Sequence, residues 1–360
     1  MNDVDFYKKI KKVYANKLPF VVYSKPDSAE VKLIVQKNDK IHYTEDYKES
    51  GFVFAPFEND KLPILFPISE SISYTNSFSA YGKEITRNKP DTIFNSSTSS
   101  KNKHVALVEK GIKFLENNNY KKVVLSRKEI IKYEEFELVQ IYRKLLKSYS
   151  NAFVYSWYHP KVGLWLGASP EVLLEADKNS FRTMALASTQ VYDVKKYGEF
   201  KSLKDVNIHW GAKEVAEQQH VTDYIIEQLN VHVKVSKPYT TKAGNLLHIR
   251  TDISGKLTEQ LTLKKIVNLL HPTPAVCGVP KEKAKEFIVQ NENYSRQFYT
   301  GFLGELNLNN KSALFVNLRC MQFVDNTLEI YIGGGITVDS NPVSEWEETV
   351  NKSKVMMKVL

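Results

Sequence analysis

Two pairs of carboxylates are the residues in this sequence best placed to do chemistry. Lys213-Glu214-Val215-Ala216-Glu217 sets Glu214 and Glu217 three residues apart, and Glu345-Trp346-Glu347-Glu348 repeats the spacing with Glu345 and Glu348. Residues three apart on a helix share a face, and like charges there destabilise it slightly unless something cationic sits between them. Acidic pairs are common on solvated helices, so either pair alone has that plain reading as well. Beside the second pair, Trp346 and the preceding Asp339-Ser340-Asn341-Pro342 turn favour a buried helix start. Carboxylates converging from two helices would suit Mg²⁺, which takes hard oxygen ligands and keeps water or substrate oxygens as the rest of its octahedron.

Other chemistries lack their residues. There is no G-x-x-x-x-G-K-[ST] phosphate loop and no H-E-x-x-H, and Gly333-Gly334-Gly335 has neither the G-x-G-x-x-G spacing nor the acidic residue that should follow it. Gly167-Ala168-Ser169-Pro170-Glu171 only loosely suggests a nucleophile elbow, because a proline directly after the serine removes an oxyanion-hole N–H. The two cysteines, Cys277 and Cys320, form no C-x-x-C and read as small buried side chains in a reducing compartment.

The elements that must position the carboxylates follow from periodicity. An amphipathic helix is expected over 3–14, strands over 20–23 and 31–35, and a linker or long loop over the polar run Asn95–Lys103. Val105, Val108, Ile112 and Leu115 mark a helix, Lys122–Ser126 a short strand, and Leu138–Leu146 a second helix. Several strands fill 152–189, one long helix 205–229, and strand returns over 231–257. Helices near 262–270 and 281–293 precede strands at 298–307 and 313–323, which face each other across Asn309-Asn310. A strand at 327–337 and a helix over 343–359 close the chain. Strands come in runs and so do helices, which argues for α+β layering rather than strict βαβ alternation.

Composition sets the outer bounds. The chain has 360 residues, 42% apolar and 25% charged, which excludes wholesale disorder and a small stapled scaffold. The longest apolar run, 62–68, is broken twice by proline and falls far short of the eighteen or so residues of a membrane helix. The N-terminus has no basic n-region or apolar h-region, so a soluble cytoplasmic protein is expected. A net charge of +9 with no block of five consecutive Lys/Arg does not call for nucleic acid; a small anionic substrate accounts for the sign equally well.

Further motifs fall in a set order: Lys122-Val123-Val124-Leu125-Ser126-Arg127; Gly167–Glu171; Ala185-Leu186-Ala187-Ser188-Thr189; Glu214-x-x-Glu217; His271-Pro272-Thr273-Pro274-Ala275; Arg296-x-x-Tyr299-x-Gly301; Leu318-Arg319-Cys320; Gly333–Ile336; and Glu345–Thr349 with Lys352. Each is weak alone. As an ordered set, running from about Val105 to the C-terminus, they resemble the chorismate-utilising enzymes and, within that family, the isochorismate synthases. The resemblance implies two packed β-sheets flanked by helices, with the active site between the sheets. Residues 1–100 read as a variable N-terminal part of the same fold and 101–360 as the chorismate-binding catalytic region. The implied reaction is the Mg²⁺-dependent, reversible conversion of chorismate to isochorismate: water adds at C2 of the ring, the C4 hydroxyl leaves, and the double bonds shift.

By the same resemblance Lys122 is the general base and Glu171 the general acid. A lysine acts as a base only if its pKa falls from about 10.4 toward neutrality, and a glutamic acid stays protonated only if its pKa rises from about 4.3. One dry cleft would do both. Mg²⁺ on the ring carboxylate would be held by Glu217 and Glu348, with Glu214 and Glu345 supporting its waters. Arg319 and Tyr299 would bind the enolpyruvyl carboxylate. The backbone at Gly333 and Gly335 would approach the substrate, and Lys352 would add positive charge. Thr189, His248 and Ala275 complete the implied substrate-binding set.

The chain departs from the family pattern at Ser188, where glycine is usual, and at Gln218, where histidine usually follows the glutamate. Anthranilate and aminodeoxychorismate synthases add ammonia, lack the lysine at the position of Lys122 and work with a glutaminase partner. The presence of Lys122 favours water as nucleophile; no glutaminase subunit is expected, and a monomer is expected. Salicylate synthases share the lysine but tend to carry threonine where Ala275 stands. A salicylate synthase releasing pyruvate and a non-catalytic chorismate-binding homologue are the alternatives, and menaquinone and siderophore synthesis are both open as destinations of the product.

Overall fold

The computed structural model describes residues 3–78, 98–192, 197–198, 208–243 and 246–360. Two antiparallel sheets organise them. The first runs, in spatial order, Gly278–Val279, Lys122–Lys132, Thr327–Ile336, Cys320–Val324, Gly163–Ser169, Phe153–His159, Phe20–Ser24, Glu30–Gln36 and Ser71–Ser77. The second runs Lys234–Val235, Leu246–Lys256, Ser180–Val191, Val172–Asp177, Lys311–Val316, Phe302–Leu308, Gly51–Ala55, Ile64–Pro67 and His42–Tyr43, with Tyr239–Ala243 also paired to Leu246–Lys256. The N-terminal residues are thus woven into both sheets.

Period-two alternation builds the core between the sheets. Phe153, Tyr155 and Trp157 point inward from one strand while Val154 points to the opposite face. Their partners include Phe54, Phe66 and Phe315, with Phe66 stacked on Trp157 at 5.1 Å and Phe153 on Phe315 at 4.3 Å. Helices cover the outer faces. Asp3–Ala15 and Leu138–Ser148 pack on the first sheet through Phe6, Ile10, Ile141 and Leu145. Ala212–Leu229 and Leu263–Leu270 pack on the second through Val221, Ile225, Ile266 and Val267. Thr98–Asn118 and Lys281–Asn291 enclose the end of the Lys122–Lys132 strand, and Pro342–Met357 lies along the first sheet beside Thr327–Ile336.

Two places where the chain changes sheets matter most. At Pro170-Glu171 it leaves the first sheet for the second, and at Asn317-Leu318-Arg319 it returns. The two crossings are hydrogen-bonded to each other: the Val316 N–H donates to the Glu171 carbonyl at 3.0 Å, the Ala168 N–H donates to the Arg319 carbonyl at 3.1 Å, and the Ser169 hydroxyl donates to the Val316 carbonyl. Ser169 is therefore a buried structural hydroxyl and not a nucleophile.

The element expectations need five corrections. The short strand expected over Lys122–Ser126 runs on to Lys132, because its pairing with Thr327–Ile336 continues to that residue. The run expected as one strand over 313–323 is two strands in different sheets. Asn317, fully buried, fixes the break by donating to the Phe298 carbonyl at 2.8 Å and accepting from the Tyr155 hydroxyl at 2.6 Å, and Arg319 turns the chain at φ 48°. The polar run expected as a loop is helical from Thr98 onward, because a solvated helix end needs no apolar residue; its residues 95–97 lie outside the described residues. The long helix expected from 205 begins at Ala212 among the described residues, with Gly211 in extended conformation before it; residues 205–207 lie outside the described residues. The strand expected from 298 begins at Phe302, because Tyr299 sits in a turn closed by the Gly301 N–H donating to the Phe298 carbonyl.

Candidate active site

A cavity of about 370 Å³ opens between the sheets beside both crossings, within the range of small-molecule sites. Lys122, Glu171, Glu214, Glu217, His248, Ala275, Tyr299, Arg319, Gly333, Gly335, Glu348 and Lys352 all line it. Side chains dispersed over 230 residues of sequence are thus brought to one wall-to-wall space. Thr189 lies on the adjoining strand, but its side chain is outside the described residues. Glu345 stands just behind the wall.

Lys122 begins its strand, and its Nζ lies 3.3 Å from Glu217 Oε1. Gly335 on the neighbouring strand makes room for it: a Cβ there would sit 2.7 Å from Lys122 Cε and 3.3 Å from Nζ. Gly333 does the same for Tyr299, whose hydroxyl would lie 2.7 Å from an added Cβ. The two glycines therefore create space for a lysine and a tyrosine as well as for a substrate. Tyr299 is fixed by stacking on Tyr331, with centroids 5.3 Å apart.

Glu171 is buried at the first crossing. Burial pushes its carboxyl up from 4.5 to about 7, against the opposing pull of a hydrogen bond from Thr273 at 3.3 Å and the positive charge of Lys122. Thr273 has no assigned role in the sequence reading, although it lies within the quoted His271–Ala275 motif. His248 is neutral at ordinary pH, because burial, then the charge of Arg319, lowers its pKa to about 4. Its Nδ1 lies 3.1 Å from the Ser188 carbonyl, which can only accept, so Nδ1 carries the proton. Arg319 faces the cavity from the second crossing, with its pKa lowered by burial.

Glu214 and Glu217 reach the cavity from the helix on the second sheet, and Glu348 reaches it from the helix on the first. Glu217 Oε2 accepts from the Ser188 hydroxyl at 3.0 Å. Glu348 is paired with Lys352 at 2.6 Å, and Lys352 also donates to the Gly333 carbonyl at 3.1 Å. Glu214 folds back over Gly211, with an oxygen 2.5 Å from where a Cβ would be. Glu345 Oε1 accepts from Ser340 at 2.7 Å, while its Oε2 is buried without a hydrogen-bond partner. Burial, together with the charge of Glu348, raises the Glu345 pKa. Among the described residues no three acidic, histidine or cysteine side chains are gathered as a ready-made metal cluster. The donor set nevertheless fits Mg²⁺: it is all carboxylate oxygen, and one buried oxygen is left without a donor.

The C-terminal helix that carries Glu345 and Glu348 is clamped by Arg127. Its Nε donates to Thr349 Oγ1 at 2.8 Å, and its guanidinium lies 4.3 Å over the Trp346 ring. A second cavity, about 490 Å³, shares Pro170 and Leu186 with the first. Four of its charged side chains are already paired, Lys25 with Glu305 at 2.5 Å, Arg182 with Glu175 at 3.0 Å and Arg250 with Asp252 at 2.7 Å. The chemistry belongs to the smaller one.

The model of the chorismate binding enzyme family matches residues 65–360. The chain belongs to the chorismate-binding enzymes. It is 27% identical over 272 residues to the isochorismate synthase DhbC of Bacillus subtilis, covering 70% of this chain and 66% of that one. To the isochorismate synthase EntC of Escherichia coli K12 it is 29% identical over 218 residues, covering 58% and 54%. The chain thus spans between about half and two thirds of the length of these curated relatives. The solved structure of MenF, the menaquinone-specific isochorismate synthase of Escherichia coli, superposes with a TM-score of 0.77 at 20% identity, covering 95% of this chain and 88% of that one. That likeness establishes the fold: the two sheets with their flanking helices are those of a chorismate-binding enzyme. Among the described residues, no helix is long and apolar enough to cross a membrane.

Proposed function

We propose that this chain is an isochorismate synthase, a Mg²⁺-dependent isomerase that interconverts chorismate and isochorismate. One observation carries the reading: Lys122 and Glu171 face one cavity, and burial brings the Glu171 carboxyl to about 7, so that it holds a proton near neutral pH. An acid of that kind is what a leaving hydroxyl needs.

Lys122 takes a proton from the water that attacks C2. Glu171 gives its proton to the departing C4 hydroxyl, which leaves as water while the ring double bonds shift. One water enters and one leaves, and the two groups exchange roles in the reverse direction. Arg319 offers a planar fork to the enolpyruvyl carboxylate, with the Tyr299 hydroxyl beside it. Glu217 and Glu348 would hold Mg²⁺, supported by Glu214 and Glu345. When bound, the ion supplies positive charge beside the ring carboxylate. Neutral His248 and the Lys352 ammonium line the remaining wall, and Thr189 belongs to the adjoining strand. The catalytic side chains all fall within 101–360, and the chain works as a cytoplasmic monomer without a glutaminase subunit.

Ala275 lines the cavity and supports isochorismate rather than salicylate as the product, since a smaller and less polar side chain there changes the space around the ring. The test is to incubate chorismate, enzyme and Mg²⁺, separate the products by chromatography and measure pyruvate with lactate dehydrogenase. An equilibrium mixture of chorismate and isochorismate with little pyruvate is expected. Stoichiometric pyruvate and salicylate would overturn the reading in favour of a salicylate synthase, and binding without turnover would make the chain a non-catalytic homologue.

A further inference from the structure

We infer that Ser188 is a positioning residue whose hydroxyl, presented by a strained bulge, sets the Glu217 carboxylate for the cation. The inference rests on the proposed Mg²⁺ site and names a residue of this chain that tunes it.

Ser188 occupies a β-bulge. Strand Ser180–Val191 pairs with Leu246–Lys256 in regular register through Ala187, then slips by one residue before Thr189. At the bulge Ser188 has φ 56°, a left-handed conformation that favours glycine and that other residues enter at a cost. A serine held there against its preference is worth a functional question. Its side chain supplies the answer. The Ser188 hydroxyl lies 2.8 Å from the Glu214 carbonyl and 3.0 Å from Glu217 Oε2. The hydroxyl has one proton to share between these two acceptors on the acidic helix, the carbonyl being slightly the nearer.

Gln218, the other departure from the family pattern, fixes the register that makes this contact possible. It is buried, and its amide oxygen accepts from the Ala187 N–H at 2.9 Å. Its amide nitrogen donates to the Ala185 carbonyl at 3.0 Å and to Thr251 Oγ1 at 2.9 Å. The residue after Glu217 is therefore pinned to the strand just before the bulge, which holds Glu217 opposite Ser188. Glu217 Oε1 faces Lys122 at the other end of the carboxylate. The Ser188 hydroxyl keeps Glu217 from swinging wholly onto the lysine and leaves the carboxylate aimed at the cavity.

The design separates stability from binding. Ser188→Gly relieves the backbone and removes the hydroxyl; Ser188→Ala keeps the backbone cost and removes the hydroxyl. The probe is Mn²⁺, followed by loss of its free paramagnetic signal on binding, with Mg²⁺ as competitor, alongside thermal melting of each protein without metal. Ser188→Gly should melt at or above the wild-type temperature yet bind both ions about 3- to 10-fold more weakly, the size of one typical net hydrogen bond. Ser188→Ala should show the same weakening with a lower melting temperature than Ser188→Gly. Wild-type affinity in Ser188→Gly would overturn the inference while leaving the metal site standing. No binding to wild type, or binding unaffected by Glu348→Ala, would overturn the metal site and the inference with it.

Discussion

At the scale of single residues, the acid and the base make different demands on the fold. Removing either should cost roughly 10²–10⁴-fold in turnover; Lys122→Ala or Glu171→Gln with near wild-type kcat would refute the assignment. Glu171 also carries a stability signature of fixed sign. Its carboxyl sits at 4.5 ordinarily and at about 7 in the folded chain, so the folded state keeps a proton that the unfolded state has already released. Its contribution is fully present below about pH 4.5 and is lost as the pH rises through 7. Above that range the buried carboxylate costs about 3 kcal/mol. Glu171→Gln, which is neutral and keeps an acceptor for Thr273, should therefore be more stable than wild type at pH 8–9 and equal to it near pH 4.5, while being inactive. Urea melts at the two pH values read this directly; equal stability at pH 9 would mean that the carboxyl is not raised. Gly335→Ala tests the base from the other side. Its new Cβ meets only the flexible end of Lys122, so folding should suffer little while the lysine is displaced and kcat falls. Unchanged kcat with an unchanged melting temperature would show that Lys122 acts from elsewhere.

At the scale of elements, a buried ion pair ties together the pieces that present the site. Arg296 and Glu292, both buried, lie 2.6 Å apart. Arg296 also donates to the Val124 carbonyl at 2.7 Å and the Val276 carbonyl at 2.9 Å, and Glu292 accepts from the N–H and hydroxyl of Ser126. The strand of Lys122, the loop of Ala275 and the turn of Tyr299 are joined through this pair. Arg296→Met strands a carboxylate in the interior and should cost about 3–5 kcal/mol in a denaturant melt; a loss under 1 kcal/mol would show the pair to be dispensable. The sequence motif Arg296-x-x-Tyr299 signals these residues without their roles, because both partners of the pair act through backbone carbonyls and N–H groups that no side-chain pattern encodes. Helices and strands with clear periodicity, such as Leu138–Ser148 and Thr327–Ile336, are legible in the chain. The crossings at Glu171 and Arg319 are not. Apolar residues continue on both sides of each crossing, since both sheets bury their strands, and period-two alternation cannot report which sheet a strand joins. The site's acid and its arginine lie at those two points, so the ordered motifs identify the residues while the reason for their meeting is topological.

At the scale of the whole molecule, the proposed metal site joins parts that the aromatic core already holds together. Glu217 rides on the helix that covers the second sheet and Glu348 on the helix beside the first, while Phe54, Phe66, Trp157 and Phe315 interlock the two sheets between them. An ion held by both carboxylates would bind only when both layers are in place, so its binding energy should appear as stability of the entire fold. At a Mg²⁺ concentration 100 times Kd the gain is about 2.7 kcal/mol. With an unfolding entropy of about 2.1 cal/mol/K per residue, that raises the melting temperature of a chain this long by about 3–4 °C. The metal-free protein carries Glu214, Glu217 and Glu348 at the cavity, with Glu345 behind the wall, its pKa already raised by burial and the charge of Glu348, so the gain includes relief of that strain. The shift should vanish in Glu348→Ala, and EDTA should return wild type to its metal-free melting temperature and stop turnover. Calorimetric melts of both proteins with and without Mg²⁺ decide it. A shift of equal size in Glu348→Ala would place the ion elsewhere, and turnover that persists in EDTA would remove the metal from the reaction.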